Sequence, residues 1–88
     1  AVVCVNAMLA LRLKRAFEQE GYKVPEDISV TGYDCLPLAS EITTVKQNFE
    51  EIGHMAIIEV LKRIGGAPPS IVTTGVSLHI GKSVKKID

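Results

Sequence analysis

Two polar residues stand directly behind apolar, β-branched runs. Asn6 follows Ala1-Val2-Val3-Cys4-Val5, and Asp34 follows Ile28-Ser29-Val30-Thr31-Gly32-Tyr33. An ionised aspartate accepts hydrogen bonds through two oxygens, and an asparagine amide both donates and accepts, a combination suited to vicinal hydroxyls. If the two runs are parallel strands, both residues lie in the crevice outside the strand ends, where open α/β sheets take their ligands. A sugar or another polyol is the ligand chemistry this suggests. The structural alternatives are specific too: asparagine caps a following helix, and aspartate completes a turn.

Other chemistry finds less support. His54 falls on or beside a helical stripe and His79 in a strand, and neither reads as a metal ligand. Cys4 and Cys35 lie in or beside apolar strands without CxxC spacing, so both are expected to be reduced core residues, which favours a cytoplasmic protein. Gly65-Gly66-Ala67-Pro68-Pro69 has no Lys-Ser/Thr sequel and follows a helix, so it reads as a terminator instead of a phosphate loop. Glu50, Glu51 and Glu59 belong to a solvated helix and form no catalytic carboxylate pair. No catalytic residue, metal site or cofactor is expected, and the chain does not read as an enzyme.

The elements that must position Asn6 and Asp34 follow from periodicity. Leu9, Leu13, Ala16 and Phe17 recur at helical spacing among charged residues, Gly21 supplies a C-terminal cap, and Pro25 prevents continuation. Strand, helix, turn and strand make a βαβ unit with parallel strands, so the class is α/β. Ile42–Lys46 reads as an extended crossing. A second helix over 48–64 has Asn48 as cap, Glu51 three residues later, and a broad apolar stripe from Phe49 to Ile64. Beyond the prolines, Ile71–Thr74 and Val76–Ile80 read as strand segments, and the end at Lys85–Asp88 as polar and frayed.

Composition narrows the class further. The 88 residues hold at most one modest domain, and 47% hydrophobic with 23% charged residues is a globular balance. Ten basic against ten acidic residues leave no net charge with which to hold nucleic acid. No apolar run approaches the length of a membrane helix. The start at an apolar run led by Ala1 reads as a piece of something longer.

The order of segments resembles one family. Asn6, Ala10-Leu11, Gly21, Val24-Pro25-Glu26-Asp27-Ile28-Ser29-Val30, Gly32-Tyr33-Asp34, Thr43-Thr44-Val45 and Gln47 together resemble the C-terminal part of LacI/GalR-type transcription regulators, through to about Ser83. The resemblance implies a partial type I periplasmic-binding-protein-like fold, a two-lobed effector core whose helix-turn-helix DNA-binding domain is not in this chain. Residues 1–45 and 70–83 would belong to the C-terminal lobe and the helix at 48–64 to the N-terminal lobe. Closure of such a core around its effector shifts a dimer between two arrangements.

By resemblance Asn6, Asp34 and Gln47 would contact a sugar-like effector, while Leu9, Leu11, Arg12, Leu36 and Leu38 would lie at a homodimer interface. DNA would be reached only through the missing domain. Simple lobe core is the alternative for the leucines. The chain departs from the family pattern at Ala7, Arg12 and Cys35, where Asp, Gly and Asp are usual, and at Gly81-Lys82-Ser83, where only Ser83 fits. The competing assignment is a fragment of an extracytoplasmic sugar-binding protein of a transporter. A third is a bare self-association module whose exposed strand edges and apolar faces are completed by a second copy.

Overall fold

The first strand, β1 (Val2–Val3), is shorter than the apolar run that contains it, because helix α1 (Ala7–Gln19) begins two residues before the Leu9 stripe does. Strands β2 (Val30–Tyr33), β3 (Thr43–Gln47) and β4 (Val76–His79) and helix α2 (Phe49–Ile64) complete the regular elements, with a 3₁₀ turn at Pro37–Ala39. The computed structural model describes residues 1–87. The sheet order is β1-β2-β3-β4. β1 pairs with β2 and β2 with β3, both parallel, with Val2 opposite Val30 and Thr31 opposite Thr43. The Ile42–Lys46 segment thus lies largely in β3, an inner strand of the sheet, and is more than a crossing.

Both helices end in one way. Gly21 has φ of 88°, its amide donates to the Glu18 carbonyl, and the Tyr22 amide reaches back to Phe17 at 2.9 Å. Gly66 has φ of 92°, its amide donates to Arg63, and Ala67 reaches back to Lys62 at 3.0 Å. This paired hydrogen bonding needs a left-handed residue one step past the helix, which glycine adopts without steric cost. The Phe17 and Tyr22 rings meet edge to face at 6.2 Å across the first of these ends.

The chain divides into two compact units, Ala1–Lys46 with the segment from Ser77 onward, and Gln47–Val76. In the first, Ala7, Ala10 and Leu11 of α1 pack on a core with Cys4, Val24, Val30, Ala39 and Ile42. Two alanines on the buried face bring the helix axis close to the sheet, and Leu11 fills the remaining depth. Burying such a leucine contributes about 1.5–3 kcal/mol. Lys14, from the same helix, contacts Glu18 at 2.7 Å and Glu41 at 3.6 Å, and the hydrogen bond to Glu18 raises its pKa above the usual lysine value.

The segment after β4 closes this unit from the other end. The Ser83 hydroxyl is fully buried, donates to the Val30 carbonyl at 2.5 Å and accepts from the Thr43 amide at 2.9 Å. The Ser83 carbonyl takes the Val30 amide at 2.9 Å, and Lys85 donates to Ser29 Oγ at 3.0 Å. Ser83 thereby clips β2 to β3.

The second unit differs from the sequence expectation. Asn48 caps α2 as expected, its Oδ1 accepting from the Glu51 amide at 3.1 Å. No residue of α2 is buried, and Ile57, Leu61 and Ile64 are 62%, 62% and 78% exposed. The Ile71–Thr74 segment forms no strand; Ile71 is 96% exposed. β-branched composition favours extended backbone, but a strand exists only where a neighbour accepts its hydrogen bonds.

Candidate functional site

Asn6 and Asp34 stand where the sequence places them, beyond the carboxyl ends of neighbouring parallel strands. β1 and β2 are neighbouring parallel strands; Asp34 directly follows β2, and Asn6 follows β1 three residues beyond its end at Val3. Asn6 is exposed and caps α1, its Oδ1 accepting from the Leu9 amide at 2.8 Å. Asp34 is half-buried with φ of 68°, and its amide donates to the Val45 carbonyl at 2.8 Å. Aspartate enters the left-handed region more readily than most residues, and such a conformation turns the chain sharply out of the strand. Asp34 also makes a further interaction within the chain.

Gly32 lets the turn that carries Asn6 approach β2 closely, and residue-type reasoning overlooked it. A Cβ at Gly32 would lie 3.0 Å from the Asn6 carbonyl oxygen and 3.0 Å from the Ala7 Cα, so the turn into α1 rests directly on β2. The signal was a lone glycine inside a β-branched strand, which marks close backbone approach. Opposite it in register lies Thr44, 1% exposed, whose hydroxyl has no hydrogen-bond partner among the described residues.

The remaining predicted residues distribute as follows. Gln47 ends β3, is half-buried, and makes an interaction within the chain. Leu9, Arg12, Leu36 and Leu38 are surface residues, Leu38 being 83% exposed. Leu11 is 2% exposed and lies on the α1 face that packs on the sheet, as the lobe-core alternative for the leucines has it. Cys35 is also corrected, being half-buried beside Asp34, whereas Cys4 is a core residue; both are free thiols.

His79 Nε2 lies 2.7 Å from the Ser40 carbonyl, a bond that ties β4 to the turn before β3, and His54 is exposed on α2. Among the described residues no group of three or more His, Cys, Asp or Glu is placed to hold a metal ion. No described helix is long and apolar enough to cross a membrane.

The chain is similar in sequence and fold to known proteins. Residues 1–84 match the periplasmic binding protein-like domain family. The HTH-type transcriptional regulator MalR of Streptomyces coelicolor is 42% identical over 77% of this chain and 21% of its own length. The HTH-type transcriptional repressor PurR of Photobacterium profundum is 40% identical over 100% of this chain and 28% of its own length. A crystal structure of a LacI-family transcriptional regulator from Burkhoderia phymatum superposes with a TM-score of 0.75 at 27% identity, over 96% of this chain and 32% of that one. The chain thus spans between a fifth and a third of the length of these proteins.

Proposed function

The chain belongs to the periplasmic binding protein-like family, among its LacI-type transcriptional regulators, and from that premise we propose that it forms part of the effector-binding and dimerisation core of a DNA-binding regulator. The effector is a sugar or a related small metabolite. The observation that supports this reading is that Asn6 and Asp34 both follow the carboxyl ends of neighbouring parallel strands, β1 and β2. Capping engages Oδ1 of Asn6, so its Nδ2 hydrogens donate to the ligand while the Asp34 carboxylate accepts from ligand hydroxyls. Gln47 is the third contact. The unit holding β1–β3 serves as the C-terminal lobe, and α2 belongs to the N-terminal lobe.

Leu9, Arg12, Leu36 and Leu38 form the surface used for homodimerisation in the regulator, and DNA is bound by another part of it, in the cytoplasm. The transporter reading is not favoured, because the matching relatives are named as transcriptional regulators.

Thermal melting of a regulator of the relatives' length carrying these residues, against sugars, sugar phosphates and purines, tests the assignment. A ligand at one hundred times its Kd stabilises by about 2.7 kcal/mol. A sugar is expected to raise the melting temperature, and Asp34→Ala to abolish the rise while the unliganded protein melts as before. A rise of equal size in Asp34→Ala would remove that residue from the site, and no rise with any compound would remove the effector assignment.

A further inference from the structure

The hydroxyl of Thr44 is buried and, among the described residues, has no hydrogen-bond partner. Its direction follows from register. Thr44 pairs with Gly32, and paired residues of neighbouring strands point to the same face of the sheet. A Cβ at Gly32 would run into the Asn6 carbonyl and the Ala7 Cα, so this is the face on which the start of α1 rests. The Thr44 side chain is therefore aimed toward the first turn of α1.

That turn has donors to spare. Asn6 Oδ1 takes the Leu9 amide and the Asn6 carbonyl takes the Ala10 amide, which leaves the Ala7 and Met8 amides without an acceptor among the described residues. The first turn of α1 holds no acidic residue, whereas that of α2 holds Glu50 and Glu51. A helix start with open amides and no carboxylate of its own favours an anion. Lys46 adds a full positive charge on the same side. It follows Thr44 by two residues in β3, hence on the same face and nearer the carboxyl end of the strand. It is exposed, and among the described residues it enters no ion pair, unlike Lys14 and Lys62. The Asp34 amide donates to Val45, the neighbour of Lys46, so the lysine stands one strand away from Asp34. The Asp34 carboxylate opposes an anion, and Lys46 offsets that opposition.

We propose that the Ala7 and Met8 amides, the Thr44 hydroxyl and the Lys46 ammonium form a subsite for an anionic group of the effector, a phosphate or a carboxylate. The inference rests on the effector reading above and narrows it to acidic sugar derivatives, with Asp34 accepting from the ligand hydroxyls and the subsite taking the charge. All four groups lie in one compact unit of the chain. Amide chemical shifts of the 88-residue chain are followed by NMR during titration with sodium phosphate or sodium acetate, against sodium chloride at equal ionic strength. Saturable shifts at Ala7 and Met8 are expected with phosphate. Lys46→Gln should weaken the binding about tenfold, and Thr44→Val about threefold without lowering the melting temperature of the chain. The same pattern with acetate would assign a carboxylate as well, and its absence would restrict the subsite to phosphate. No saturable shift at Ala7 and Met8 with either anion, or binding of equal strength in Lys46→Gln, would overturn the proposal. Melting of a regulator of the relatives' length separates this outcome from failure of the effector reading. A rise with glucose equal to that with glucose 6-phosphate, and unchanged by Lys46→Gln, would overturn the subsite and leave the effector reading standing. No rise with any compound would remove the effector reading, while the phosphate titration of the chain still decides the subsite.

Discussion

Thr44 and Ser83 are both buried hydroxyl residues of the same unit, and they are expected to respond oppositely to removal of the hydroxyl. Ser83 donates to one backbone carbonyl and accepts from one backbone amide, so Ser83→Ala strands two buried groups on β2 and β3. Each stranded group costs about 1–3 kcal/mol. The variant should therefore melt more than about 8 °C lower, taking about 4–8 °C per kcal/mol for a domain of this size. Thr44 Oγ1 is buried with no partner, so Thr44→Val exchanges an unsatisfied hydroxyl for a methyl of similar shape. Its melting temperature should equal or exceed that of the parent. A drop of several degrees in Thr44→Val would mean that the hydroxyl is satisfied in solution. Neither role was readable from residue type. Threonine in a strand satisfies β propensity whatever its hydroxyl does, and Ser83 acts on residues 40 and 53 positions away.

At the scale of elements, the sequence carried what local chemistry determines. The α1 and α2 spans, their asparagine caps and their glycine ends follow from spacing and capping within a few residues, and the βαβ order follows from the alternation of periods. What it did not carry is which apolar face is covered, because coverage depends on neighbours distant in sequence. The α1 stripe meets a sheet, and the α2 stripe meets none of the described core. The contact that does hold the α2 region is polar. Ser70 Oγ donates to Glu59 at 2.5 Å and Lys62 lies 3.3 Å from it, and these two, the serine foremost, hold the Glu59 carboxyl below its usual value. A depressed carboxylate stabilises the folded form above its unfolded pKa near 4.5, and that contribution is lost as pH falls through the lower folded value. Amide exchange around Ser70, corrected for its intrinsic pH dependence, should therefore report less protection as pH drops below about 4.5. Ser70→Ala should flatten that dependence. An unchanged profile in the variant would show that the hydroxyl does not tune Glu59.

For the whole molecule, stability is expected to be unevenly divided. Every fully buried residue, hydrophobic or polar, lies in the unit built from Ala1–Lys46 and the segment from Ser77 onward, whereas α2 buries none of its side chains. Isolated helices of about this length are marginal in water, so α2 gains its order from what packs on it rather than from its own propensity. Opening free energies should accordingly span a wide range, highest in α1 and β2 and lowest in α2. Hydrogen exchange checks this division. The amides of Ala10, Leu11 and Val30 should be the most protected, and those of Ala56–Val60 should exchange faster, because α2 buries none of its side chains. Protection of α2 equal to that of α1 would mean that burial does not set the order of opening in this chain.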